Sequence, residues 1–133
     1  MKLMDIEGIG AVYAAKLAKA GVRSLEMLLK KGATPAGRKE VAMMSGIGDK
    51  LILEWVNLAD LFRIKGVGSE YSDLLEEAGV DTVVELAKRT GANLFKKMQQ
   101  VNADKKLVRK MPTAAQVEGW IQQAKKLPRA IKY

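Results

Sequence analysis

The sequence predicts an all-α fold built from two similar halves. No stretch alternates between apolar and polar residues as a half-buried strand does, and helix start and stop signals recur along the chain. A turn of the form Gly8-Ile9-Gly10 returns as Gly46-Ile47-Gly48 and as Gly66-Val67-Gly68. At 133 residues with 48% hydrophobic positions, the chain is long enough for one globular domain or for two small ones with a shared core.

Local signals divide the first half into short helices. A serine, threonine or aspartate before an apolar run caps the amides of a first turn, and glycine is common just after a last turn. In the helix that starts near Ala11, we expect Val12 and Leu17 to face inward. The helices predicted in this half run from Leu3 to Glu7, from Ala11 to Ala20 with Gly21 after the last turn, from the N-cap Ser24 to Lys31, from Thr34-Pro35 through Met43, and from Asp49 to about Leu61, with an extension almost to Arg63.

The second half repeats the first in a constant register, which aligns Ile64 with Ile6 and Gly66 with Gly8. The second half then carries a short insertion, after which Trp120 matches Trp55, and both are expected in the core. We interpret the pattern as an internal duplication. The predicted division is 1–62, a partly degenerate 63–128, and a short basic tail over 129–133. Three helices are predicted in the second half. The first runs from the N-cap Asp81 to about Arg89, the second from the N-cap Asn93 to about Val101, and the third from the capping box of Thr113 and Gln116 to about Leu127.

The net charge of +8 is unevenly distributed along the chain. Residues 1–95 carry 13 basic and 13 acidic residues, whereas residues 96–133 carry ten basic and two acidic ones. A one-sided positive field favours a polyanionic partner, and a solvated face is the alternative.

Composition excludes several classes of function. The chain has no cysteine and no histidine, which removes disulfides, thiolate and imidazole metal sites, iron–sulfur clusters and histidine catalysis. No group of residues forms a catalytic constellation, so we do not expect an enzyme. No apolar run reaches the roughly 18 residues of a membrane span, and the first residues lack the apolar core of a signal peptide. We therefore expect a cytoplasmic protein without membrane contact.

The repeated glycine turn suits the binding of an anion. Glycine lets the backbone approach an external group closely, and the helix that follows presents free N–H groups at the positive end of its dipole. A phosphate oxygen is a natural ligand for such donors. Alternatively, the turn is a compact helix connection whose central residue, Ile9, Ile47 or Val67, is buried in the core. Both interpretations can hold for the same turn.

These turns resemble the helix-hairpin-helix motif, and the doubled arrangement resembles the tandem helix-hairpin-helix fold over nearly the whole chain. The resemblance is strongest to stand-alone members described only as domains of unknown function. It implies two duplicated halves of short helices in one compact all-α unit. It also implies hairpin amides that grip DNA backbone phosphates without reading sequence, and a monovalent cation at the carbonyls of the first two hairpins when DNA is bound.

The four hairpins match the family pattern unequally. The first has a small residue, Ala14, where close helix packing is needed, but Val12 where DNA-binding members often place a base. The second has Lys50 at that place, with Asp49 beside it as a competing cap for the same amides. The third is followed by acidic residues, which repel phosphate. The fourth has lost its glycines, since Pro112-Thr113 stands where the hairpin is expected, and we interpret it as structural or as serving another partner.

Two functions from different classes follow. The first is non-sequence-specific binding of nucleic acid, with DNA favoured over RNA, through backbone phosphates. The second is a protein-interaction or scaffold module that retains the fold without DNA binding. The oligomeric state is left open. The predicted binding residues are Gly8, Ile9, Gly10, Ala11, Lys16, Gly46, Ile47, Gly48, Lys50, Gly66, Gly68, Lys105, Lys106, Arg109 and Lys110.

Overall fold

The computed structural model describes residues 2–6 and 8–133, and the regular secondary structure in these ranges is entirely helical. The all-α prediction is confirmed. No helix among the described residues is long and apolar enough to cross a membrane. Among the described residues, a short 3₁₀ helix, Leu3–Asp5, precedes eight α-helices: α1 Ala11–Lys19, α2 Leu25–Lys31, α3 Pro35–Ser45, α4 Asp49–Leu61, α5 Ser69–Glu77, α6 Val83–Ala87, α7 Gly91–Lys105 and α8 Ala114–Lys126.

The chain forms two compact units. The first comprises Met1–Asp60 together with Arg129–Tyr133, and the second comprises Leu61–Pro128. The segment Arg129–Tyr133 packs within the first unit, where Ile131 is buried and the Lys132 N–H donates to the Ala33 carbonyl at 2.7 Å.

Each unit has an apolar core made by the inner faces of its helices. In the first unit α1 and α2 pack against α3, and in the second α5 packs against α7 while α6 and α7 pack against α8. The most deeply buried side chains include Leu17, Leu28, Ile52 and Val56 in the first unit, and Leu74, Leu75, Leu86 and Met98 in the second.

Several predicted helix ends are confirmed by hydrogen bonds. The hydroxyls of Ser24 and Thr34 accept the amides of Met27 and Gly37, each at 3.1 Å. Thr113 and Gln116 form the predicted capping box. The first helix is confined to Leu3–Asp5, and its predicted end at Glu7 lies outside the described residues.

Other local predictions were wrong. Thr82, rather than Asp81, caps α6, because its hydroxyl accepts the Glu85 amide at 3.2 Å; it stands at the repeat position of Ser24, the cap of α2. Asn93 is not a cap, because α7 starts two residues earlier at Gly91; the helix continues past Val101 to Lys105.

Two predictions on α1 and α4 also need correction. The predicted helix from Asp49 to about Leu61 is confirmed as α4, but the predicted extension almost to Arg63 is wrong, because Phe62 and Arg63 form a turn. Val12 is 70% exposed instead of facing inward. Since Val12 is five residues from the buried Leu17, the two side chains lie about 140° apart around the helix.

The helices of the two units keep the spacing of the sequence duplication. Helices α1 and α5 both have nine residues, and their starts are separated by the same interval as Ile6 and Ile64. Helices α4 and α8 both have 13 residues, and their starts are separated by the same interval as Trp55 and Trp120. The extra residues lie mainly between these pairs: α7 has 15 residues against 11 in α3, and a longer loop follows it.

An aromatic pair recurs at the same place in both units. Tyr13 and Trp55 have ring centroids 5.1 Å apart in an edge-to-face arrangement, and Tyr71 and Trp120 have centroids 5.4 Å apart. The two indoles are 1% and 4% exposed, which confirms that they are core residues. Each pair joins the helix after the first glycine turn of its unit to the last long helix of that unit.

The first glycine of each unit's leading turn lies against the indole of the same pair. Gly8 and Gly66 have φ of +93° and +95°, which favours glycine. A β-carbon at Gly8 would lie 3.7 Å from Nε1 of Trp55, and one at Gly66 would lie 3.0 Å from Nε1 of Trp120. These glycines are therefore required by the fold itself.

The tyrosines of the two pairs differ in one hydrogen bond, which gives a matched test. The Tyr71 hydroxyl donates to the Lys110 carbonyl at 3.0 Å, whereas the Tyr13 hydroxyl forms no such bond with any described residue. Tyr71→Phe should lower the free energy of unfolding by about 1 kcal/mol, because it removes one hydrogen bond and little packing. Tyr13→Phe should change it by less than about 0.5 kcal/mol. Denaturant unfolding of both variants checks this, and equal effects would contradict it.

Candidate nucleic-acid interface

No side chain of a described residue caps the start of α1 at the first hairpin. Its N-cap residue is Gly10, and no acidic residue lies in the first turn. Ile9 is 3% exposed, and its N–H donates to the Ile6 carbonyl at 3.1 Å, so the centre of the turn is fixed in the core. Gly8, Gly10 and Ala11 are exposed. The positive end of the helix dipole therefore faces solvent with uncapped amides.

The second hairpin has the same buried centre but a different edge. Gly46 ends α3 in the left-handed region with φ of +75°, and Ile47 is 5% exposed. The Ile47 amide donates to the hydroxyl of Ser45 at 3.2 Å, which uses one hairpin donor internally. Asp49 and Lys50 open α4 and are both exposed. Lys50 is thus available to an anion, with one carboxylate next to it in sequence.

Gly10 and Gly48, the second glycines of these two hairpins, have no internal reason to be glycine. Neither has φ in the left-handed region, and a β-carbon at either position would meet no atom of a described residue within 4 Å. Both are exposed. The space that a side chain would occupy is open to a group outside the chain, which could then reach the backbone closely.

The third hairpin is less open. Gly68 is half-buried as the uncapped N-cap of α5, and Glu70 lies in the first turn. The Gln123 side chain forms two hydrogen bonds with the backbone of Lys65. Its oxygen accepts the Lys65 N–H at 2.9 Å, and its amide donates to the Lys65 carbonyl at 3.1 Å. Gly66 is exposed but is held against Trp120. A carboxylate near the free amides disfavours phosphate here.

The fourth turn is closed by side chains. Pro112 is buried at the repeat position of Ile47, the buried centre of the second hairpin. The Thr113 hydroxyl accepts the Gln116 amide at 3.1 Å, and the Gln116 side chain accepts the Thr113 amide at 2.8 Å. The start of α8 therefore has its cap donors occupied, and glycine is not needed.

The predicted basic cluster is only partly free. Lys105 forms an ion pair with Glu77, at 2.5 Å from Nζ to the carboxylate. The hydrogen bond with Glu77, and next the charge of that carboxylate, raise the pKa of Lys105 above 10.5. Lys106 is the C-cap of α7 and has φ of +51°. Lys106, Arg109 and Lys110 have exposed side chains.

The fold separates the predicted residues into two groups. The first unit holds the first two hairpins, Lys50 and Lys16, whose ammonium lies 5.7 Å from the centre of the Tyr13 ring. The second unit holds Gly66, Gly68 and the basic cluster. The first unit has 11 basic and seven acidic residues, and the second has 12 and eight, so each carries a net charge of +4. The positive charge is therefore equal in the two units, although in the sequence the whole excess of basic residues lies in 96–133.

Two basic residues that were not predicted lie near Lys50. Arg38 and Lys39 line the same groove between α3 and α4. Their only sequence signal is that they are adjacent in a predicted helix, which gives no information on their distance from Lys50.

The ion pair of Lys105 gives a pH-dependent prediction. Since a raised lysine pKa means that the charged form is favoured by folding, this stabilisation is present below 10.5 and is lost as pH rises through the raised value. Glu77→Gln should return the pKa of Lys105 toward 10.5, and Asp104→Asn should change it less, because Asp104 contributes least. Side-chain NMR titration measures both. An unchanged Lys105 pKa in Glu77→Gln would show that the pair does not form in solution.

The comparisons with known proteins give one result. The model of a family described as "Domain of unknown function (DUF4332)" matches residues 7–127. No curated protein and no solved structure matches the chain. Since the family match covers most of the chain, the protein belongs to the DUF4332 family, a domain of unknown function.

Proposed function

We propose that the chain is a tandem helix-hairpin-helix protein that binds nucleic acid without reading its sequence, with DNA favoured over RNA. The hairpin amides and nearby lysines of the first unit contact backbone phosphates. Contacts of this kind position a protein on a strand but carry no sequence information directly.

The observation that carries the proposal is the open edge at Gly10 and Gly48. Glycine is required by neither the backbone conformation nor the packing at these positions. A close approach by an external group explains glycine at both positions, and a phosphate is the group that uncapped helix amides attract. The absence of acidic residues from the first turn of α1 adds to this attraction.

Carbonyl groups of the same hairpins fit the monovalent cation that the family resemblance implies. No described amide donates to the carbonyls of Gly8, Ile9, Gly46 or Ile47, so these oxygens would be the ligands. Carbonyl oxygen is a suitable donor for a hard cation. Such an ion would reduce the repulsion between the carbonyl oxygens and a phosphate.

Substitution of the two open glycines tests the proposal. Gly10→Ala and Gly48→Ala should each weaken binding to a labelled oligonucleotide about tenfold, which corresponds to the loss of one charge-assisted hydrogen bond. Both variants should remain folded, because a methyl group has room. Lys50→Glu should weaken binding as well. Fluorescence anisotropy with single- and double-stranded DNA of unrelated sequences, at two salt concentrations, measures the effect.

Gly119→Ala is the matched control for this experiment. Gly119 lies in α8 and is exposed, and a methyl group added there would meet nothing within 4 Å. The same change there should leave affinity unaltered. Binding that is insensitive to salt, or that survives in both Gly10→Ala and Gly48→Ala, would refute phosphate contact at the hairpins.

A second candidate function, protein interaction, is favoured by the distribution of exposed apolar side chains. All the large hydrophobic residues that are exposed lie in the first unit, among the described residues. They include Met43, at 85% exposed, and Val12, at 70%. Val12 follows Gly10 by two residues and Met43 precedes Gly46 by three. Methionine suits a surface that adapts to a partner protein.

The double variant Val12→Ser/Met43→Ser separates the two functions. If protein interaction is the function, a partner that copurifies after nuclease treatment should be lost from this variant, because its apolar contact area is removed. Met27→Ser, at a residue 36% exposed on α2, is the matched control and should retain the partner. Retention of the partner by the double variant would contradict this alternative.

A further inference from the structure

A basic groove lies between α3 and α4 of the first unit. Its volume is about 320 Å³, and it is lined by Pro35, Arg38, Lys39, Asp49, Lys50 and Leu53. Three of these side chains are cationic and one is a carboxylate. The side chains that line the groove carry a net positive charge, and most of its accessible surface is apolar.

Arg38 is the unusual member of this lining. It is 7% exposed, yet it forms no ion pair with a described carboxylate. Its Nη1 donates to the Gly32 carbonyl at 2.8 Å and its Nη2 donates to the Lys132 carbonyl at 3.0 Å. The carbon at the centre of the guanidinium lies 5.8 Å from the centre of the Tyr133 ring. Carbonyl dipoles and an aromatic face orient the group, but none of them neutralises its charge.

The corresponding helix position of the second unit is buried without a charge. Arg38 is the fourth residue of α3, which follows the N-cap Thr34, and Leu94 is the fourth residue of α7, which follows the N-cap Thr90. Both are buried. Burying an ion without a counter-ion is unfavourable, and a hydrophobic residue in its place is often neutral or stabilising. The carbonyls of Gly32 and Lys132 need only a hydrogen-bond donor, so these bonds account for a polar residue at this position but not for its charge.

We infer that the groove is a binding site for a phosphoryl group, with Arg38 as its buried anchor. The guanidinium has five N–H donors, of which two are occupied by carbonyls, so others remain for an anion. Lys39 and Lys50 supply charge from the exposed sides of the groove. No residue of α1 lines the groove. Asp49 and Lys50 directly follow the second hairpin, but binding in the groove is through side chains and not through the hairpin amides. Its ligand is either a backbone phosphate of a strand or a free phosphorylated molecule.

Titration with inorganic pyrophosphate tests the site without nucleic acid. In ¹H–¹⁵N NMR spectra at constant ionic strength, saturable shifts should centre on Arg38, Lys39, Lys50 and Leu53. Lys39→Glu should weaken the binding about tenfold, since a charge-assisted contact is lost and repulsion is added. Lys30→Glu, the same change at a lysine of α2 outside the groove, should weaken it less than about twofold, because only the general field changes.

Arg38→Leu completes the pyrophosphate test, because Leu94 shows that a leucine can be buried at this helix position. It should bind pyrophosphate at least about tenfold more weakly while keeping its helical circular dichroism signal. If it does not fold, Lys39→Glu and Lys30→Glu still decide the matter. Shifts spread over many surface lysines, or equal weakening by Lys39→Glu and Lys30→Glu, would overturn the inference.

Competition with an oligonucleotide identifies the source of the phosphoryl group. If pyrophosphate displaces a labelled strand and Lys39→Glu weakens both ligands, the groove holds a strand phosphate. If Lys39→Glu weakens pyrophosphate alone, the ligand is a free phosphorylated molecule. Both results support a phosphoryl site. Unchanged strand binding in Gly10→Ala and Gly48→Ala would count against the hairpins only, so the two proposals fail separately.

Discussion

The contact between a left-handed glycine, a tyrosine and a buried indole fixes the position of the leading hairpin in each unit. In the first unit, Gly8 lies over Trp55, and the Tyr13 ring meets the same indole 5.1 Å away. Because the inner side of the turn is held by this packing and by the buried Ile9, its outer side stays exposed in a defined conformation. A preorganised edge of this kind loses little ordering entropy when a ligand binds. The proposed use of the hairpin amides depends on this constraint.

The two units keep this contact and differ at their surfaces. The starts of α1 and α5 both lack a side-chain cap from a described residue, but Glu70 lies in the first turn of α5, whereas the first turn of α1 has no acidic residue. In the second unit, Gln123 and the Thr113–Gln116 capping box also occupy backbone groups at the turns. Arg38 is replaced by the buried Leu94 at the corresponding place in α7. Duplication of a fold therefore does not imply duplication of a site. The observations favour the first unit for binding and the second for a different role.

Local signals in the sequence predicted most of the fold, and tertiary contacts decided the rest. Ser24 and Thr34 were recognised as caps because a hydroxyl three residues before its amide partner is a short-range pattern. Asp81 was a wrong choice beside Thr82, because adjacent residues both suit a cap and packing selects one. The ion pair of Lys105 with Glu77 has no local signal, because the two residues are distant in sequence. The groove was missed for the same reason: α3 and α4 bring Arg38 beside Lys50 only after they pack.

The chemistry of the proposed interface also explains why its exposed apolar residues matter. Amides and lysines on phosphates would bind any strand alike, so they provide affinity without discrimination. Val12 and Met43 are close in sequence to the two hairpins and are strongly exposed. Apolar side chains do not contribute to a contact with phosphate. We therefore expect them to contact something other than the phosphate, either the sugars and bases of the same strand or a protein held beside it. Apolar side chains at a minor groove act on base steps rather than on charge. We therefore expect Val12 and Met43, and not the hairpin amides, to determine any selectivity of this domain for one form of nucleic acid or for one partner.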